Sequence, residues 1–119
     1  MEKFLKKNDF GEATGVSAAQ IIASCAKSKF RNDFLGFIEK FPDHLDRTCQ
    51  VGHLTGSSLV VREKDHKILL MFHTKLQKWL QPGGHADGDP NLARVALREA
   101  EEETGINDLK IYRIPIDLD

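Results

Sequence analysis

The stretch from Gly84 to Ile106, GHADGDPNLARVALREAEEETGI, constrains this chain more than any other. Glu99, Glu102 and Glu103 fall at i, i+3 and i+4, which on a helix stacks three carboxylates on one face. Like charges that close repel one another unless a positive group sits among them. A hard divalent cation bound through carboxylate oxygens is the natural partner, and Mg²⁺ commonly brings a phosphate-bearing substrate with it. The alternative is a solvated acidic face. Glu101 points away from the other three and is assigned to solvent. Asp89-Pro90 reads as the helix start, a capping carboxylate followed by proline at the first helical position. Gly105 suits the left-handed position just past the helix end. Ala93, Ala96, Leu97 and Ala100 form a small apolar side that lets the helix sit close to a sheet.

Composition narrows the classes. A chain of 119 residues suits one domain. With 17 basic against 18 acidic residues, it lacks the basic excess of a general nucleic-acid-binding surface. A hydrophobic content of 40% is that of a globular protein. No apolar run approaches the ~20 residues of a membrane span, and the amino terminus lacks a long apolar signal core. Cys25 and Cys49 make no disulfide framework, so reduced thiols and a cytoplasmic location are expected.

Residues 1 to about 50 are expected to be helical. Ser17 caps a helix with apolar positions Ala18, Ile21, Ile22 and Cys25. A second helix runs from about Asn32, with Phe30, Phe34, Phe37, Ile38 and Phe41 on one side, and ends at Pro42. That phenylalanine stripe is assigned to core packing ahead of partner docking. After Gly52, residues 57–62 and 67–73 read as a hairpin around Lys64-Asp65-His66. Its unbroken apolar runs predict burial on both faces. A third strand near Trp79–Gln81 leads into Pro82-Gly83-Gly84, and residues 109–116 read as a last strand. Trp79 is open between base stacking and core. His53 and His85 are open between site contacts and structural roles. Asp87-Gly88-Asp89 opens like a calcium-binding loop, but Leu92 and Arg98 occupy the positions that need glycine and glutamate.

The 84–106 segment resembles the Nudix box, G-x5-E-x7-R-E-U-x-E-E-x-G-U with U aliphatic. Gly84, Arg98, Glu99, Glu102, Glu103, Gly105 and Ile106 match in register, with Ala100 a small substitute at the first U. Pro90 stands where the family has its first glutamate, and Asp89 and Asp87 are both candidates to replace it. Gly52-His53-Leu54-Thr55 and Trp79 to His85 extend the resemblance to an uncharacterised bacterial subgroup with a helical N-terminal extension.

The resemblance implies an α/β fold, a Nudix-type α/β/α sandwich with a mixed sheet. It implies a Mg²⁺- or Mn²⁺-dependent pyrophosphohydrolase acting on a nucleoside diphosphate linked to another moiety. Glu99, Glu102 and Glu103, with the carbonyl of Gly84, would hold the metal. Gly83, Gly84 and His85 would meet the phosphates, and Arg98 would orient a carboxylate through its bidentate fork. The general base would be one of the three glutamates or a carboxylate outside the box. A catalytically impaired Nudix-like domain that binds a ligand or partner is the alternative. The box usually lies mid-domain, whereas 13 residues follow Ile106. A helical extension over residues 1–50, followed by the N-terminal part of a Nudix domain over 51–119, is therefore expected. A homodimer through an open sheet edge is among the expected assemblies.

Overall fold

The computed structural model describes residues 4–10, 16–25 and 28–119; parts of the expected helical segment, residues 1–3, 11–15 and 26–27, lie outside them. The architecture is α/β, with helices set against short antiparallel strand pairs. Helix α1 covers Ala18–Ala23. The Ser17 hydroxyl accepts the Gln20 N–H at 3.1 Å, and the Ser17 N–H donates to Gln20 Oε1 at 2.9 Å. This reciprocal box satisfies two amides that helical bonding leaves open. Ser17→Ala should therefore cost about 1 kcal/mol in urea unfolding; a change within error would mean the cap carries no stability.

Helix α2 covers Arg31–Lys40 and stops at Phe41, just before Pro42. Phe34, Phe37 and Ile38 lie half-buried against the core, so most of the phenylalanine stripe packs inward. Phe30 stays exposed.

Strand β1, Phe4–Leu5, corrects the all-helical expectation for residues 1–50, because it pairs antiparallel with β8, Ile111–Tyr112. Two residues have little strand tendency of their own; a partner far along the chain, with Phe4 opposite Tyr112, makes them one. Residues 41–50 are turns and irregular chain.

Strand β2, Thr55–Ser57, pairs with β7, Gly83–His85. Strand β3, Val60–Val61, pairs with β4, Ile68–Leu69, across the expected turn. There Arg62 holds Asp65 through Nε and Nη2 at 2.8 and 2.6 Å. Strand β5, Met71–His73, pairs with β6, Lys78–Leu80. The expected continuous strand over 67–73 is thus broken at Leu70, where the chain changes partner. Burial on both faces is also corrected. Val61, Ile68, Leu70, Phe72 and Trp79 are all exposed, because the helices pack mainly on β2 and β7.

Helix α3, Leu92–Thr104, lies across β2 and β7. Its buried side includes Ala96, Leu97 and Ala100 as expected, and also Leu92 and Val95, while Ala93 is only half-buried. Gly105 takes the left-handed conformation, φ 75°, and closes the helix through its N–H to Glu101 O. The core gathers Ala18, Ile22 and Cys25 with Leu54, Ala86, Leu92, Val95 and Leu118. Residues on both sides of position 50 thus share one core. No described helix is long and apolar enough to cross a membrane.

Candidate active site

The site begins with two glycines. Gly56 on β2 stands opposite Gly84 on β7, so both missing side chains would point to the same face of the ladder. A Cβ on Gly56 would meet Leu92 O at 2.9 Å and Ala96 N at 3.0 Å. A Cβ on Gly84 would run into the Glu99 carboxylate, with Oε2 only 2.5 Å away. The bare ladder therefore lets α3 descend onto it and seats Glu99 against the backbone of Gly84. One turn on, Glu103 Oε1 accepts the N–H of Gly83 at 3.3 Å.

Arg98 ties the two elements together. Its Nη2 donates to His85 O at 3.2 Å and lies 3.7 Å from Glu99 Oε1. Its Nη1 lies 3.7 Å from Asp89 Oδ2. Of the three glutamates singled out by spacing, Glu99 and Glu103 meet the β7 backbone, Glu103 while exposed; Glu102 is exposed and has no contact with β7 among those described. No group of three His, Cys, Asp or Glu side chains among the described residues is already gathered as a metal cage. The two histidines find each other: His53 Nε2 and His85 Nδ1 are 2.8 Å apart. One ring must donate and the other accept.

Glu101, expected in solvent, is not there. Its side chain is only 12% exposed and lies 4.0 Å from Lys7 Nζ. The 3-10 turn Lys7–Phe10 packs on α3 at this point, an arrangement invisible in the helix periodicity.

The helix start is also corrected. Asn91, not Asp89, caps α3, its Oδ1 accepting the Arg94 N–H at 3.2 Å. Pro90 precedes the cap. Asp89 is drawn elsewhere: it accepts the Asn91 N–H at 2.9 Å and two bonds from Arg94 at 2.8 Å each. Burial pushes the Asp89 carboxyl up, but the Arg94 and Asn91 hydrogen bonds and the Arg94 and Arg98 charges hold it below the usual carboxylate range. Asp87 is likewise engaged, gripped by Arg47 at 3.0 and 2.7 Å. Both candidates for the missing box glutamate thus carry an arginine partner. Nothing in the spacing singled out Arg47, Asn91, Arg94 or Gly56; an Asp–Arg pair five residues apart is common on any surface.

A carboxyl whose pKa is depressed by folding stabilises above its unfolded value, about 3.9, and loses that contribution as pH falls through its folded value. Asp89→Asn should therefore destabilise the protein at pH 7, and the gap to wild type should close below about pH 4. Urea midpoints at pH 7 and pH 3 test this; an equal gap at both would show that the ionised form of Asp89 is irrelevant.

Residues 52–115 match the family described as NUDIX domain. Phosphatase NudJ of Escherichia coli strain K12 is 39% identical over 67 residues, which are 56% of this chain and 38% of that relative. Proteins of the same name from Escherichia coli O157:H7 and Shigella flexneri align with the same figures. The matched region thus spans well under half the length of these curated relatives.

Proposed function

The chain belongs to the Nudix family, and from that premise we propose that it serves a Mg²⁺- or Mn²⁺-dependent pyrophosphohydrolase cleaving a nucleoside diphosphate linked to another moiety. The observation that carries this reading is the Glu99 carboxylate lying where a Gly84 Cβ would be. That space lets α3 sit close and also brings an ionisable carboxylate against strand backbone, the kind of oxygen donor a hard cation takes. The donor set fits a hard cation: carboxylate oxygens of Glu99 and Glu103 beside the backbone of Gly83 and Gly84. Glu102, exposed on the same helix, is the third carboxylate available to it.

When bound, the metal would neutralise diphosphate charge and acidify a water. The chain's own residues do the rest. Arg98 fastens the His85 carbonyl and stands beside Glu99, so β7 and α3 keep their spacing. The absent side chain of Gly84 leaves room for the Glu99 carboxylate against the β7 backbone. Asp89 and Asp87, held by arginines, serve to position the loop and not as general base; that role falls to the glutamates or to a carboxylate outside the box.

The test is a hydrolysis screen over nucleoside triphosphates, dinucleoside polyphosphates, ADP-ribose and nucleotide sugars, with and without Mg²⁺. Metal-dependent release from one class supports the proposal. Ligand binding without turnover in every class would replace it with a non-catalytic binding domain, the reading that Pro90 at a signature position favours.

A further inference from the structure

Loop 86–89 joins β7 to the cap of α3, and it is gripped from outside the family-matched residues. Arg47 donates from Nε and Nη2 to the two Asp87 oxygens. The Gly88 N–H donates to Leu45 O at 3.1 Å. The gripping segment is itself anchored, since the Leu54 N–H donates to His44 O at 2.7 Å. Asp87 and Gly88 are both left-handed, φ 48° and 87°. Aspartate tolerates that conformation better than most side chains, and here Arg47 grips the carboxylate while it is adopted. On its other side the loop carries Asp89, which lies 3.7 Å from Arg98, and Arg98 lies 3.7 Å from Glu99. Contacts therefore run without a break from Arg47 to the carboxylate at Gly84.

We infer that Arg47 is a positioning residue of this site: it holds loop 86–89 in its left-handed turn and so, through Asp89 and Arg98, sets Glu99 against Gly84. The inference rests on the metal-dependent reading above. An ion pair with side chains about half exposed, 56% and 49%, adds little to global stability. A two-pronged guanidinium–carboxylate contact does fix orientation, which is what a turn feeding a site requires. The Arg47 hydrogen bond also holds the Asp87 carboxyl below its usual range, which favours the charged pair.

The experiment compares wild type, Arg47→Ala, Asp87→Asn and the double variant. Asparagine keeps the tolerance for the left-handed conformation. Mn²⁺ alone is titrated calorimetrically, and amide hydrogen exchange over residues 86–89 is followed in metal-free protein. Each single variant should weaken Mn²⁺ binding by about tenfold, as loss of an outer support does. Each should speed exchange at Gly88 while the melting temperature holds. The double variant should be no worse than the weaker-binding single. Wild-type affinity and exchange in Arg47→Ala would overturn the inference alone, and so would additive losses in the double variant. A wild-type protein that binds no Mn²⁺ would overturn the metal-dependent reading, and this inference with it.

Discussion

Glu99→Gln and Glu103→Gln should each cut metal-dependent diphosphate hydrolysis on the order of a thousandfold, while the melting temperature stays within a few degrees of wild type. The size follows from the chemistry: charge stabilisation by a bound cation supplies several kcal/mol in the transition state, and each 1.36 kcal/mol is a factor of ten in rate. The small stability effect follows from the structure. Glutamine keeps an oxygen to accept the Gly83 N–H that Glu103 now accepts. Glu99 loses only a 3.7 Å approach to Arg98. Gly84→Ala is the companion test. Its Cβ would land on the Glu99 carboxylate, but that carboxylate is the end of a flexible side chain and can swing away. The fold should survive and the activity should not. Near-wild-type turnover in both glutamine variants would sink the metal role, whatever the alanine variant does.

Gly56→Val should do the reverse and remove the fold itself. A Cβ at Gly56 would stand 2.9 Å from Leu92 O, 3.0 Å from Ala96 N and 3.1 Å from Val95 Cγ1. Two of those atoms are helix backbone, and Val95 is fully buried, so nothing there can rotate aside. Overpacking of this kind costs about 1–3 kcal/mol for a methyl group and more for a larger one. Native domains hold about 5–15 kcal/mol in all. Gly56→Ala should lose about 2–3 kcal/mol in urea unfolding, and Gly56→Val should be largely unfolded. Gly36 on α2 is the control, because a methyl group added there would have nothing within 4 Å; alanine at that position should stabilise by about 0.5–1 kcal/mol. A Gly56→Val protein with a wild-type urea midpoint would mean that α3 does not seat on β2 as described.

Much of the local structure that carries the candidate site was legible because it is written in local spacing. The helix that carries Glu99, Glu102 and Glu103, its left-handed stop at Gly105 and the Ser17 cap of α1 each depend on residues within one or two turns. The turn at Lys64-Asp65-His66 is of the same kind. Family membership followed from the same register of residues, and the match over 52–115 bears it out.

The misreadings share a different cause. Asp89 looked like the helix cap because a carboxylate before proline is a good cap; Arg94 took its oxygens, and Asn91 capped instead. Glu101 looked solvent-bound on the helix wheel, yet the turn at Lys7–Phe10 covers it. Phe4–Leu5 looked helical until Ile111–Tyr112 came alongside. The sequence by itself determined the family, because a carboxylate helix with its glycine and arginine in register is a local pattern. Only the tertiary structure decided which carboxylates meet the β7 backbone, which arginine holds which aspartate, and why Gly56 must be glycine. Apart from the Asp89–Arg94 pair, five residues apart, those choices lie between partners distant along the chain, such as Arg47 and Asp87 at a separation of 40, and are settled by packing and charge that no local window contains.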